Sequence, residues 1–147
     1  MMRIPFLKPK VVPKETFLHY LQQIEDSRIY SNYGPLNSLF ENRVLSEYFK
    51  DTGAVSTVCN ATTGLILALS QSKRPTGRYA LMPSFTFPAM PLAAIWCGLD
   101  PYFLDIREDT WCVDEQVIDQ AISDLGNQVA VVMPCATFGT ADRKSVV

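Results

Sequence analysis

Apolar residues recur along the chain in two different rhythms. From Thr16 to Glu25 the spacing of Phe17, Leu18, Leu21 and Ile24 is that of an amphipathic helix. Leu36, Phe40, Val44 and Tyr48 mark a second helix that stops before Gly53. Between the two, "SNYGPLNS" (31–38) reads as a turn, with Gly and Pro adjacent and Ser and Asn flanking them. Before them, Pro5, Pro9 and Pro13 break the first 14 residues into an extended arm. After Gly53 the rhythm changes to short β-branched or apolar runs alternating with helical stretches. Strands are expected at 54–59, 79–82, 101–105 and 129–133, and helices at 62–71, 88–97 and 114–124. Asp114 is a good N-cap for the last helix, whose inner stripe is Val117, Ile118, Ala121, Ile122 and Leu125.

This βαβαβαβ order, with connections of several residues, predicts an α/β fold with a parallel or mostly parallel sheet covered by helices. Ligands in such folds gather at the carboxyl ends of the strands. The segments "NATTG", "PSFTFP" and "DIREDT" fall at that edge. A sheet that stopped at the strand 129–133 would leave an apolar edge uncovered. The chain therefore reads as the first part of something larger, with a tendency to associate when alone.

Composition narrows the choices. A chain of 147 residues with 48% hydrophobic and 19% charged residues is globular. Its net charge of −2 and lack of a basic block argue against nucleic acid as a partner. Without an 18-residue apolar span, no membrane crossing is expected. The proline-broken N-terminus does not read as a signal peptide. Cys59, Cys97, Cys112 and Cys135 form no CxxC unit; three lie in or beside apolar runs, where a free thiol is a small hydrophobe, and a reducing cytoplasm is expected.

Three segments carry candidate chemistry. In "STVCNATTGLILALSQ" (56–71) a strand-like run meets a helix at Asn-Ala-Thr-Thr-Gly. A helix start offers unpaired N–H groups and partial positive charge, which suits a phosphate; small Ala61 and Gly64 would let it approach, and Thr62 and Thr63 would add hydroxyls. The same residues also describe an ordinary capped helix. In "MPSFTFPAM" (82–90), Phe85 or Phe87 could stack on a flat ring or plug the core. In "PYFLDIREDTWCVDEQ" (101–116) the acids read as turn and cap residues, since the single histidine, His19, is on a surface helix. Neither GxxxxGK[ST] nor a GxGxxG after the first strand is present, so a P-loop and a dinucleotide site are unsupported.

Taken in order, "YSNYGPLNSLFENRVLSEYF", "VCNATTGLILAL", "MPSFTFPAMPLAAIWCGLDPYFLDIREDTWCVDEQ" and "VAVVMPCATFGTAD" resemble the N-terminal half of the DegT/DnrJ/StrS-type sugar aminotransferases, pyridoxal 5′-phosphate (PLP) enzymes of fold type I. The resemblance implies a three-layer α/β/α large domain, here truncated. It divides the chain into an N-terminal arm and helix (1–27), a partial PLP-binding domain (28–142) and a tail (143–147). It implies that Ala61 and Thr62, helped by Thr63, hold the PLP phosphate. Phe87 would stack on the pyridine ring, and Tyr33 and Gly34 would lie near the substrate entrance. The implied partners are a nucleotide-linked keto-sugar, an amino-acid donor (usually glutamate) and a second subunit of a cytoplasmic homodimer.

There are departures: Ala61 stands where the family often has Gly, and Ala136 where many members have His. The family's pyridine-pairing Asp and Schiff-base Lys would both fall beyond residue 147, and Lys8, Lys10, Lys14, Lys50, Lys73 and Lys144 do not match the context of that lysine. The expectation is a chain that is inactive alone and retains weak phosphate affinity. The alternatives are a non-catalytic fragment docking on a full-length subunit, and a PLP-dependent sugar dehydratase of the same fold.

Overall fold

The computed structural model describes residues 8–139. The tail 143–147, Lys144, the first seven residues of the arm and the end of the 28–142 segment lie outside the described residues. The chain forms two compact units that divide between Thr57 and Val58.

The first unit holds two helices, α1 (Lys14–Ser27) and α2 (Pro35–Phe49). Arg43 Nη1 of α2 donates to the Tyr20 hydroxyl of α1 at 3.1 Å. Both helices end on a left-handed residue, Arg28 and Lys50. The expected apolar stripe of α1 is mostly open: Phe17, Leu18 and Leu21 are exposed and Ile24 is half-buried. The turn expected over 31–38 is shorter than its composition suggests. Gly34 is the N-cap and Pro35 the first helical residue, where the missing N–H costs nothing, so 35–38 belong to the helix.

The second unit is the α/β layer. Its elements are α3 (Ala61–Ser72), β1 (Tyr79–Pro83), α4 (Ala89–Trp96), β2 (Asp100–Leu104), α5 (Glu115–Leu125) and β3 (Val129–Val132). The sheet is parallel, with order β2-β1-β3. Period-two alternation along β1 sorts its side chains onto two faces. Ala80 and Met82 pack with Leu69 of α3, with Met90, Ala93 and Ala94 of α4, and with Leu99 and Ala130. Leu81 points the other way, into Leu104, Ala121 of α5 and Val129. Helices thus cover both faces of β1, which gives the three-layer arrangement.

One expected strand is not formed. Residues 54–59 carry a β-branched run but make no ladder. A strand exists only with a partner, and here the Thr57 N–H donates to Glu41 Oε1 at 2.8 Å instead. The Thr57 hydroxyl is likewise taken, by Asn37 Oδ1 at 2.7 Å and Glu41 Oε1 at 2.9 Å. The other strands and helices lie within one or two residues of where their patterns put them.

Candidate functional site

The direction of α3 fixes where a ligand would sit. At its C-terminal end Arg74 N donates to Ala130 O at 2.9 Å, and Arg78 N to Gln128 O at 2.7 Å, beside the start of β3. Lys73 Nζ donates to the carbonyl of Cys97, at the C-cap of α4. The last turn of α3 therefore lies at the amino end of the sheet. A helix of 12 residues is about 18 Å long, close to the length of a five-residue strand. The first turn of α3 is thereby carried to the carboxyl end, where the loops after β1 and β2 emerge.

That first turn has a division of labour. Asn60, in extended conformation, is the N-cap. Its Oδ1 accepts from Thr63 N at 2.9 Å and from Thr63 Oγ1 at 3.1 Å. The Asn60 carbonyl takes Gly64 N, which begins the helical ladder. Thr63 Oγ1 also lies 3.3 Å from Cys59 Sγ. Thr63 is therefore spent on the cap. The N–H groups of Ala61 and Thr62 are first-turn donors without an intrahelical acceptor, and among the described residues nothing engages the Thr62 hydroxyl. Ala61 is exposed and Thr62 half-buried. No carboxylate sits in the first turn of α3, whereas α5 opens with Asp114 and Glu115 against its own positive end. What α3 leaves open suits an external anion.

The loop 84–88 continues from β1, and Ser84 N donates to Leu104 O at 2.7 Å. Phe87 is 78% exposed, and its carbonyl receives Met90 N at 3.0 Å as α4 begins. A core-plugging role therefore does not describe Phe87, and its ring is free to cover a planar group at this edge. Phe85 is different. Its ring packs edge-on against Trp111 at 4.8 Å between centroids, with Phe138 at 6.2 Å from both.

The acids of 105–114 are turn and cap groups, as their sequence suggests. Arg107 forks onto both carboxylate oxygens of Asp109, at 2.9 and 2.8 Å, and reaches Asp114 Oδ2 at 3.0 Å. These hydrogen bonds raise the Arg107 pKa, and Arg107 in turn holds the Asp109 carboxyl below its usual range. Asp114 Oδ1 caps α5 through Gln116 N at 3.0 Å. Among the described residues no three metal-ligating side chains converge, and no helix is long and apolar enough to cross a membrane. The cysteines are free, with Cys112 buried and Cys59 exposed.

Ala61, Thr62, Thr63 and Phe87 thus belong to one edge of the second unit. Tyr33 and Gly34 belong to the first. Tyr33 is 84% exposed and has a left-handed backbone (φ 56°), a conformation a bulky side chain rarely adopts. Gly34 ends that turn and accepts Asn37 N at 3.0 Å. Sequence reasoning passed over Trp111 and Phe138; the signal for Trp111 was a large aromatic inside an otherwise polar turn.

Comparison with known proteins identifies the family and the fold. The model of the DegT/DnrJ/EryC1/StrS aminotransferase family matches residues 12–143. A dTDP-4-amino-4,6-dideoxy-D-glucose transaminase of Escherichia coli is 31% identical over 137 residues, covering 93% of this chain and 35% of its own. The crystal structure of a Bacillus cereus protein assigned to the PLP-dependent aminotransferases superposes with a TM-score of 0.86 at 54% identity, covering 94% of this chain and 38% of that one. DesI, solved in the presence of its TDP-sugar product, superposes with a TM-score of 0.66 at 34% identity, covering 84% of this chain and 30% of DesI. The chain spans about a third of the length of the curated relatives it matches.

Proposed function

The chain belongs to the DegT/DnrJ/EryC1/StrS aminotransferase family, and on that footing we propose that it forms the phosphate- and ring-holding part of a PLP-dependent aminotransferase acting on a nucleotide-linked keto-sugar. The observation that carries this reading is the first turn of α3. Asn60 and Thr63 satisfy each other, while Ala61 N–H, Thr62 N–H and the Thr62 hydroxyl remain available with no carboxylate competing. Those donors bind and orient a phosphate dianion. Phe87, exposed on the adjoining loop, covers one face of the ring and excludes water from it. PLP bound there supplies an electron sink through which an amino group passes from an amino acid, usually glutamate, to the sugar ketone.

The sugar nucleotide is supported by two relatives, one a dTDP-sugar transaminase and the other solved with a TDP-sugar. Tyr33 and Gly34 stand on the substrate side in this reading, and the working form is a cytoplasmic homodimer. The exposed apolar Ile95 and Trp96 of α4 are surface that such an assembly would cover. Lys73 is the one lysine among the described residues of the second unit. It is held by Cys97 O at the far end of α3, about 16 Å of helix from Thr62. Lys73 therefore cannot act as base or covalent anchor at this site, and the described residues of the second unit are expected to bind the phosphate without themselves transaminating.

The test uses pyridoxine 5′-phosphate, which lacks the aldehyde and so cannot label surface lysines. The chain should bind it with saturable quenching of tryptophan fluorescence, inorganic phosphate should compete, and Thr62→Ala should weaken binding several-fold. Equal affinity of Thr62→Ala and the unaltered chain would overturn the assignment.

A further inference from the structure

Phe87 has no ring partner of its own among the described residues, so something else must fix the loop that carries it. The loop is tied at its ends, by Ser84 N to Leu104 O and by Met90 N to Phe87 O. Between those ties, the Thr86 hydroxyl donates to Met90 Sδ at 3.5 Å, a weak bond to sulfur. The nearest ring contact of the loop is Phe85 on Trp111 at 4.8 Å, with Phe138 farther off at 6.2 Å.

Trp111 is itself unusually well fixed. Its backbone is left-handed (φ 61°), which a bulky residue keeps only where its surroundings over-determine it. Those surroundings are on view. Trp111 N donates to Arg107 O, and Arg107 N to Cys112 O, both at 2.9 Å. The Arg107 fork onto Asp109 and Asp114 closes the same turn from outside. The Trp111 carbonyl accepts the hydroxyl of buried Thr137 at 3.2 Å, which ties in the loop after β3, and Phe138 adds its ring. One residue thereby joins the loops that leave all three strands.

We infer that Trp111 is a positioning residue: by locking Phe85 it sets where the 84–88 loop presents Phe87 to the cofactor ring. This rests on the reading of Phe87 as the ring-covering aromatic. The prediction is selective. Losing Trp111 loosens the ring side of the site and leaves the phosphate side, built on α3, intact.

The experiment compares Trp111→Ala and Trp111→Phe with the unaltered chain in two measurements. Hydrogen exchange of the Ser84 and Met90 amides, the two whose bonds tie the loop, should speed about tenfold in Trp111→Ala, with α3 and β1 unchanged. Affinity for pyridoxine 5′-phosphate should fall about tenfold, while affinity for inorganic phosphate stays within about twofold. Trp111→Phe, which keeps an aromatic edge, should restore most of both. Unchanged exchange, an equal loss for both ligands, or no rescue by phenylalanine would each overturn the inference. If Trp111→Ala opens the whole unit, Phe85→Leu removes the same contact from its other side and is read the same way. Failure of the underlying reading looks different: the unaltered chain would itself bind the two ligands equally, the ring adding nothing.

Discussion

Gly77 and Gly64 receive the same substitution with opposite expected signs. Gly77 lies in the connection between α3 and β1. A Cβ built there would be 2.3 Å from Ala130 Cα and 2.5 Å from Ala130 N, where ordinary contact needs about 3.5–4.0 Å. The shortfall exceeds 1 Å, and the obstacle is backbone, which has no rotamer to change. Opening the gap means pulling the connection from β3, and with it the bonds Arg74 N–Ala130 O and Arg78 N–Gln128 O. Overpacking costs roughly 1–3 kcal/mol, here at the upper end. Each lost backbone hydrogen bond adds about 1 kcal/mol. Gly77→Ala should therefore cost about 3–5 kcal/mol, much of the stability of a chain this size. Gly64, inside α3, would place its Cβ 3.4 Å from Val58 Cγ2. Alanine in a helix interior gains about 1 kcal/mol over glycine, so Gly64→Ala should be neutral to slightly stabilising. Urea titration followed by far-UV circular dichroism separates them: with m near 1–1.5 kcal/mol/M, Gly77→Ala should lose about 2–5 M in midpoint or fail to fold. A midpoint within about 0.5 M of the unaltered chain would refute the close approach of this connection to β3.

Other expectations follow from single contacts. Asn60→Ala removes the acceptor of Thr63 N and should cost about 1 kcal/mol, read by the same titration. Thr62→Ala should leave the urea midpoint nearly unchanged while weakening phosphate binding, and a large stability loss would mean that its hydroxyl is structural. Glu41 and Asp109 have lowered pKa values, Glu41 chiefly through the Thr57 N–H and Asp109 chiefly through Arg107. Below the usual carboxyl pKa of about 4 the unfolded chain binds more protons than the folded one, so stability rises with pH there. Their contribution is present above that value and lost as pH falls through the folded pKa. Glu41→Gln and Asp109→Asn should each flatten the acid limb of a stability–pH profile. Because Asp109 and Arg107 are exposed, added salt should shrink the Asp109 effect.

The second unit was legible because its signals are local. Asp114 caps a helix whose Ala121 faces the core, and the Val129–Val132 run pairs in parallel with β1, as the alternating order of strands and helices suggests. The run at 54–59 has the same composition, but strand formation depends on a neighbour, and a β-branched sequence says nothing of whether one is present. Thr57 instead meets Glu41 and Asn37, residues 16 and 20 positions earlier, by contacts that no short-range pattern encodes. Pro35 was misread for a related reason. Gly-Pro is a turn signal until the residues after it prove helical, and then it is a helix start. At the site, the residue types of the α3 turn were legible and their division was not. Which threonine caps and which stays open depends on the reach of Asn60, a matter of coordinates.

That division also shows why a capped helix and a phosphate cradle are not competing descriptions of "NATTG". A helix start exposes four N–H groups, more than one side-chain cap can satisfy. Asn60 takes Thr63 N, the deepest of the donors that a cap reaches, and its carbonyl starts the ladder at Gly64. Both bonds hold the turn in register before any ligand arrives. Ala61 and Thr62, nearer the end, then point their N–H groups outward from an already ordered turn, so that an anion need not supply the ordering itself. A carboxylate at Ala61 or Thr62 would complete the electrostatics internally, as Glu115 does for α5, and would close the site. A small residue followed by a hydroxyl leaves it open. The capture of the residue-63 N–H by Asn60 is what lets Thr62 remain unspent.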